Sequence, residues 1–131
     1  MGSHSIVVRI QIIDHLDRES TQSYECSALY HEQPLSLSYL EKDQTTKVNL
    51  ILNETEWILH RDAQWQTHII FQLNGLGTFG VISDQGEMRG QVKILKHHID
   101  DQHISITYKL IMEDSVITYQ TLNYTTKGAQ A

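Results

Sequence analysis

Ile104-Ser105-Ile106-Thr107-Tyr108-Lys109-Leu110 is the stretch whose reading decides the fold. Apolar side chains stand at every even position and polar ones at every odd position. That period of two is the mark of a strand with one buried and one wet face. Its β-branched and aromatic residues also favour a pleated, half-buried surface over a helix.

The same alternation extends in both directions. Upstream, Met88, Val92 and Ile94 oppose Arg89, Gln91 and Lys93; downstream, Val116, Leu122 and Tyr124 share one face, with Ile117 and Tyr119 on the other. Near the start, Ile6, Val8, Ile10 and Ile12 oppose Arg9 and Gln11, and Tyr24, Cys26, Ala28 and Tyr30 oppose Glu25 and Ser27. Leu35, Leu37 and Tyr39 alternate with Ser36 and Ser38, and Val48, Leu50 and Leu52 with Lys47, Asn49 and Asn53. Trp57 and Leu59 follow, then Trp65, Ile69 and Phe71 against Gln64, Gln66, His68 and Gln72, then Phe79 and Val81. Turn-forming residues separate these runs at Asp14 to Ser20, Asn53-Glu54-Thr55, Asp62-Ala63, Asn74-Gly75, Asp84-Gln85-Gly86, Asp100-Asp101 and Glu113-Asp114. Asn74-Gly75 and Gly86 are expected to supply the positive-φ positions of tight hairpins.

These features predict an all-β chain forming one domain over residues 1–131. A long run of consecutive hairpins hides its edges best by closing, so the expected architecture is a single closed antiparallel β-barrel of about 8–10 strands. A Greek-key sandwich is the competing arrangement. Met1-Gly2-Ser3-His4 reads partly as a cloning remnant or unordered start, so His4 is assigned no role.

Three segments carry a family likeness: Leu35-Ser36-Leu37-Ser38-Tyr39-Leu40-Glu41, Ile104 to Leu110, and the closing strand from Ile117 to Tyr124. In order and separation they resemble the YwiB-like family of small bacterial β-barrel domains of unknown function. The resemblance implies a lipocalin-like (calycin) meander, akin to ligand carriers, and implies no established activity. Departures from the family pattern occur at His60-Arg61-Asp62, which lacks the usual following glycine, and at Gln120, where asparagine is common. The family's proline-aromatic-glycine turn corresponds either to Thr78-Phe79-Gly80 or to Asp84-Gln85-Gly86.

Composition narrows the function. A formal charge of −6, with basic residues scattered singly, argues against nucleic acid and anionic membrane as partners. A single cysteine, Cys26, cannot form an internal disulfide; with no signal-peptide pattern and no apolar run near the ~20 residues of a membrane span, a cytoplasmic protein is expected. No nucleophile elbow, phosphate-binding loop or convergent acid–base set is present, so an enzyme is not expected and no cofactor is implied. Cys26 alternates with Tyr24 and Ala28 and reads as a small buried hydrophobe. His97, His98 and His103 around Asp100-Asp101 offer imidazole and carboxylate ligands, with His98 and His103 the weak metal candidates, but the spacing matches no metal box.

The inward-facing set is more informative. Tyr24, Tyr39, Trp57, Trp65, Met88, Tyr108 and Tyr124 would line the barrel, with Arg61 and Gln120 as polar exceptions. Tyr39, Arg61, Trp65, Met88, Tyr108 and Gln120 are the expected lumen residues for a small apolar or amphipathic ligand. A lumen filled by these side chains is the competing state. The alternative function is a protein-interaction or structural module, or a homodimer, favoured if Ile13, Leu29, Ile70 and Ile82 cluster outside.

Overall fold

The computed structural model describes residues 4–16, 20–32 and 35–126. Ten strands run in chain order: β1 His4–Asp14, β2 Ser20–Glu32, β3 Leu35–Leu40, β4 Lys47–Leu52, β5 Glu56–Asp62, β6 Gln66–Gln72, β7 Gly77–Ser83, β8 Gly86–Ile99, β9 His103–Met112 and β10 Ser115–Thr126. Every neighbour in sequence is an antiparallel neighbour in space, and β1 pairs with β10 as well as β2. The sheet is therefore a closed meander. The β1–β10 ladder, from Val8↔Thr126 to Asp14↔Gln120, excludes the sandwich.

Alternation places the core as the sequence predicts. Val8, Ile10, Leu37, Leu50, Phe71, Val92, Ile106, Tyr108 and Tyr124 are all but fully buried inside the barrel. Ile104-to-Leu110 sends Ile104, Ile106, Tyr108 and Leu110 inward and lies across from Leu122 and Tyr124 on β10. Among the described residues, no buried side-chain nitrogen or oxygen lacks a partner, which a dry core requires.

Two bulges break the period. One lies between Ile94 and Lys96, the other between Val116 and Thr118. An inserted residue flips every later side chain to the other face. Val116, expected beside Leu122, stands opposite Ile111 on the outer face and is exposed. His97, beyond the first bulge, stands opposite inward-facing Ile106 and sets its ring edge against Trp57 at 5.5 Å.

The turns depart from expectation at three places. Gly86 has φ 126, but Gly75 is not in the left-handed region. The positive values fall instead on Gln44, Glu113 and Asp114. His4 is folded chain, paired with Tyr30 and packed on its ring at 5.0 Å; residues 1–3 lie outside the described residues.

Candidate functional site

The strand ends on the side of the β3–β4 and β5–β6 turns hold the polar residues that the inward alternation delivers. Arg61, near the end of β5, lies opposite Val48 and Thr67 and so belongs to the inward face. Its Nε donates to Glu41 Oε2 at 2.8 Å and its Nη2 to Glu41 Oε1 at 2.9 Å. A planar guanidinium matches both oxygens of a carboxylate in this way, which fixes both side chains. The hydrogen bond to Glu41 raises the Arg61 pKa further above its usual range. The two side chains are 42% and 23% exposed, so the pair sits at the mouth rather than in the core.

A local device positions Glu41. Asp43 Oδ1 accepts the backbone N–H groups of Thr45 (2.9 Å) and Thr46 (2.8 Å), and Asp43 Oδ2 accepts the Thr46 hydroxyl (2.6 Å). Gln44 takes a positive φ to let the chain turn back, and Glu41 N–H donates to the Thr46 carbonyl at 2.9 Å. Those hydrogen bonds, the Thr46 hydroxyl first, hold the Asp43 carboxyl well below the usual range. Short polar side chains stabilise turns in this manner.

Tyr24 faces the same end. Burial and then the nearby Glu41 charge push its phenol up to about 12. Cys26 is half-buried, and desolvation raises its thiol pKa. Beside Arg61, a groove of about 690 Å³ runs between the β3–β4 and β5–β6 turns, lined by Asp43, Thr46, Lys47, Arg61, Gln64 and Trp65.

The six residues expected to line a lumen separate into three environments. Tyr39, Tyr108 and, less deeply, Gln120 are packing residues. The Tyr39 and Tyr124 hydroxyls meet at 2.9 Å, and Gln120 Nε2 donates to the Tyr108 hydroxyl. Phe71 packs edge-on against Tyr108 at 4.9 Å. Arg61 is at the mouth. Met88 is on the inward register, opposite Val81, but it is 44% exposed near the end of the barrel. Trp65 is a correction: it lies in the β5–β6 turn, where its carbonyl accepts the Ala63 N–H at 3.1 Å, and it is 51% exposed. The turn extends past Asp62-Ala63, so the inward parity of β6 begins at Thr67.

At the opposite end, His98 pairs with Ser105 rather than His103. Its Nε2 is 2.8 Å from Asp100 Oδ2, and the two imidazole rings lie 5.7 Å apart. Asp100 Oδ1 is taken by the backbone N–H groups of Gln102 and His103. Among the described residues, no group of three or more His, Cys, Asp or Glu is placed to hold a metal ion. The four outer apolar residues do not form one cluster, since Ile13, Leu29, Ile70 and Ile82 sit on β1, β2, β6 and β7, opposite Thr21, Ser38, Ile58 and Gln66 respectively. Sequence reading missed Glu41 as the partner of Arg61 and Asp43 as the anchor of the turn beside it. The signal was available in Asp43-Gln44-Thr45-Thr46, a polar turn that returns the chain beside Arg61.

The family model described as a domain of unknown function (DUF1934) matches residues 6–123. The crystal structure of the YwiB protein from Bacillus subtilis is similar with a TM-score of 0.70, covering 96% of this chain and 94% of that chain at 14% identity. No curated protein matches the chain. Among the described residues, no helix is long and apolar enough to cross a membrane.

Proposed function

The chain belongs to the DUF1934 family of domains of unknown function, and from that premise we propose that it is a non-enzymatic, cytoplasmic binding barrel for a small amphipathic molecule. The ligand docks at the mouth, beside Arg61, rather than deep in the lumen. One observation carries this reading: Arg61, on the inward register and paired with Glu41, lines a groove that also carries a half-exposed indole.

The chemistry of the groove defines the ligand. Arg61 offers guanidinium N–H donors and Glu41 offers carboxylate acceptors, so a head group with both polarities is matched better than a simple anion. Asp43 and Asp62 add further negative charge beside Lys47, which disfavours a purely anionic ligand. Trp65 supplies an apolar face with a polar edge, suited to the junction between head and tail. The interior is unsuited to a large guest because Tyr39, Phe71, Tyr108 and Tyr124 fill it. Desolvation raises the Cys26 thiol pKa, the opposite of what an activated cysteine nucleophile needs. A cytoplasmic setting is supported by that same single free thiol.

The two tryptophans make the test direct, since Trp57 is 2% exposed and Trp65 is 51% exposed. A zwitterionic single-chain amphiphile, titrated below its micelle concentration, should shift tryptophan emission to the blue. Trp65→Phe should remove the shift, and Arg61→Met should weaken binding severalfold. An unchanged emission spectrum, or the same shift in Trp65→Phe, rules the reading out.

A further inference from the structure

The lower half of β8 stands outside the closed ladder. β7 pairs with β8 only from Gly86 to Val92, because β7 begins at Gly77. From Lys93 to Ile99, β8 is laddered to β9 alone among the described residues. Among the described residues no main-chain hydrogen bond reaches its other edge, which lies near the end of β6, and an unpaired edge is the usual template for an added strand. A notch of about 480 Å³ separates that edge from the β6–β7 turn, with exposed Leu76 on one side and exposed Leu95 on the other.

The charge of this edge runs against that of the molecule. The chain carries −6, yet Lys93 lies directly opposite Lys109 across the β8–β9 ladder, with Lys96 on the same face opposite Thr107. Like charges facing each other across strands destabilise a sheet. Lys109 Nζ finds the face of Tyr119 at 4.8 Å, but among the described residues no salt bridge to a carboxylate reaches any of the three lysines.

We infer that the Lys93–Ile99 edge of β8 receives an extended acidic peptide as an added strand. Its backbone continues the ladder beyond β8, on the side away from β9, its carboxylates meet Lys93 and Lys96, and an apolar side chain enters the notch between Leu76 and Leu95. A second copy of this chain is a poor occupant, because pairing two such edges sets lysine against lysine. A nucleic acid would satisfy the lysines but not the strand's main-chain groups.

A short fluorescent peptide alternating glutamate and valine tests the inference on the intact chain. Its anisotropy should rise on binding, and hydrogen exchange of the amides from 94 to 99 should slow. Lys93→Glu with Lys96→Glu, both exposed positions, should weaken binding about tenfold, and added salt should do the same. The inference is overturned if exchange at 94 to 99 is unchanged or if a lysine–valine peptide binds equally well. It is also overturned if the chain dimerises through this edge, or if single-stranded oligothymidylate binds there more tightly than the peptide. None of these results depends on Trp65 or Arg61, so the groove at the mouth is tested separately.

Discussion

Half of this barrel is built from short strands and half from long ones. β3 to β7 are 6 or 7 residues each, whereas β8, β9, β10, β1 and β2 run from 10 to 14. In the short half, each strand is little longer than its contribution to the core: Val48, Leu50 and Leu52 on β4, Trp57 and Leu59 on β5, Ile69 and Phe71 on β6. The long half contributes to the same core and then continues past it. Both bulges lie there, as does the β8 edge that β7 does not reach. Closure thus asks little regularity of a strand beyond the core, and the surplus length is where the chain can carry charge or irregularity cheaply.

The largest effect should separate the halves outright. Phe71 is fully buried against Tyr108, so Phe71→Ala should cost about 3–5 kcal/mol in denaturant unfolding. Ile99, at the exposed end of β8, should cost less than about 1 kcal/mol when changed to Ala. Equal losses would mean that the overhang is as tightly packed as the core, and the comparison would fail.

A smaller effect is expected where the halves meet. An added Cβ at Gly90 would overlap the Phe79 ring of the short half and the Ile111 carbonyl of the long half. Neither can retreat easily, since Phe79 is buried and the other atom is main chain. Gly90→Ala should cost about 1–3 kcal/mol by overpacking. Gly80→Ala, where a Cβ meets only ordinary contacts at 3.7 Å, is the matched control and should be near neutral.

What the sequence made legible follows the same division. In the short half, alternation gave the faces of Leu37, Leu50, Leu59 and Phe71 correctly, because nothing interrupts the count. In the long half the count holds only up to each bulge. Nothing in Ile94-Leu95-Lys96 or Val116-Ile117-Thr118 announces an extra residue, so alternation alone puts Val116 on the wrong face. Trp65 failed for a related reason: its parity was right, but the strand had not yet begun. Closure itself is written in no local pattern, since the β1–β10 ladder joins residues more than a hundred positions apart and follows only from the cost of leaving edges bare. Of the candidate site, Arg61 was visible as a charge on an apolar parity. Its carboxylate partner was not, because Glu41 lies just past the end of β3, where alternation no longer assigns a face.

Polar groups that the long half buries make its stability depend on pH. Burial pushes the Tyr108 phenol from 10.0 up to about 12. In the unfolded chain the phenol ionises first, so its stabilising contribution is fully present below pH 10 and is lost as pH rises toward 12. Tyr124 is shifted in the same direction by burial. The denaturation midpoint should therefore fall steeply across that window. Tyr108→Phe should cost about 1 kcal/mol near neutrality by leaving Gln120 without its partner, and its decline at high pH should be shallower than the parent's. Parallel curves would show that Tyr108 titrates as freely as a surface phenol.

The smallest effect contrasts one turn from each half. In the short half, the β6–β7 turn contains Gly75, yet the glycine is outside the left-handed region and no atom lies within 4 Å of a Cβ placed there. In the long half, Glu113 and Asp114 join β9 to β10 between paired Met112 and Ser115, with φ of 52 and 66. Two central residues with positive φ define the hairpin turn that asparagine and glycine serve best. Side chains with a Cβ hold that conformation at a cost of roughly 1–2 kcal/mol each, less for Asp than for Glu. Glu113→Asn with Asp114→Gly should therefore stabilise the chain by about 1 kcal/mol, read as a rise in Tm. Gly75→Ala should leave Tm unchanged or slightly raised, since it only restricts the unfolded chain. If the double substitution instead lowers Tm, the strain is not at this hairpin, and the long half tolerates its turn for some reason other than surplus stability in the ladder on either side.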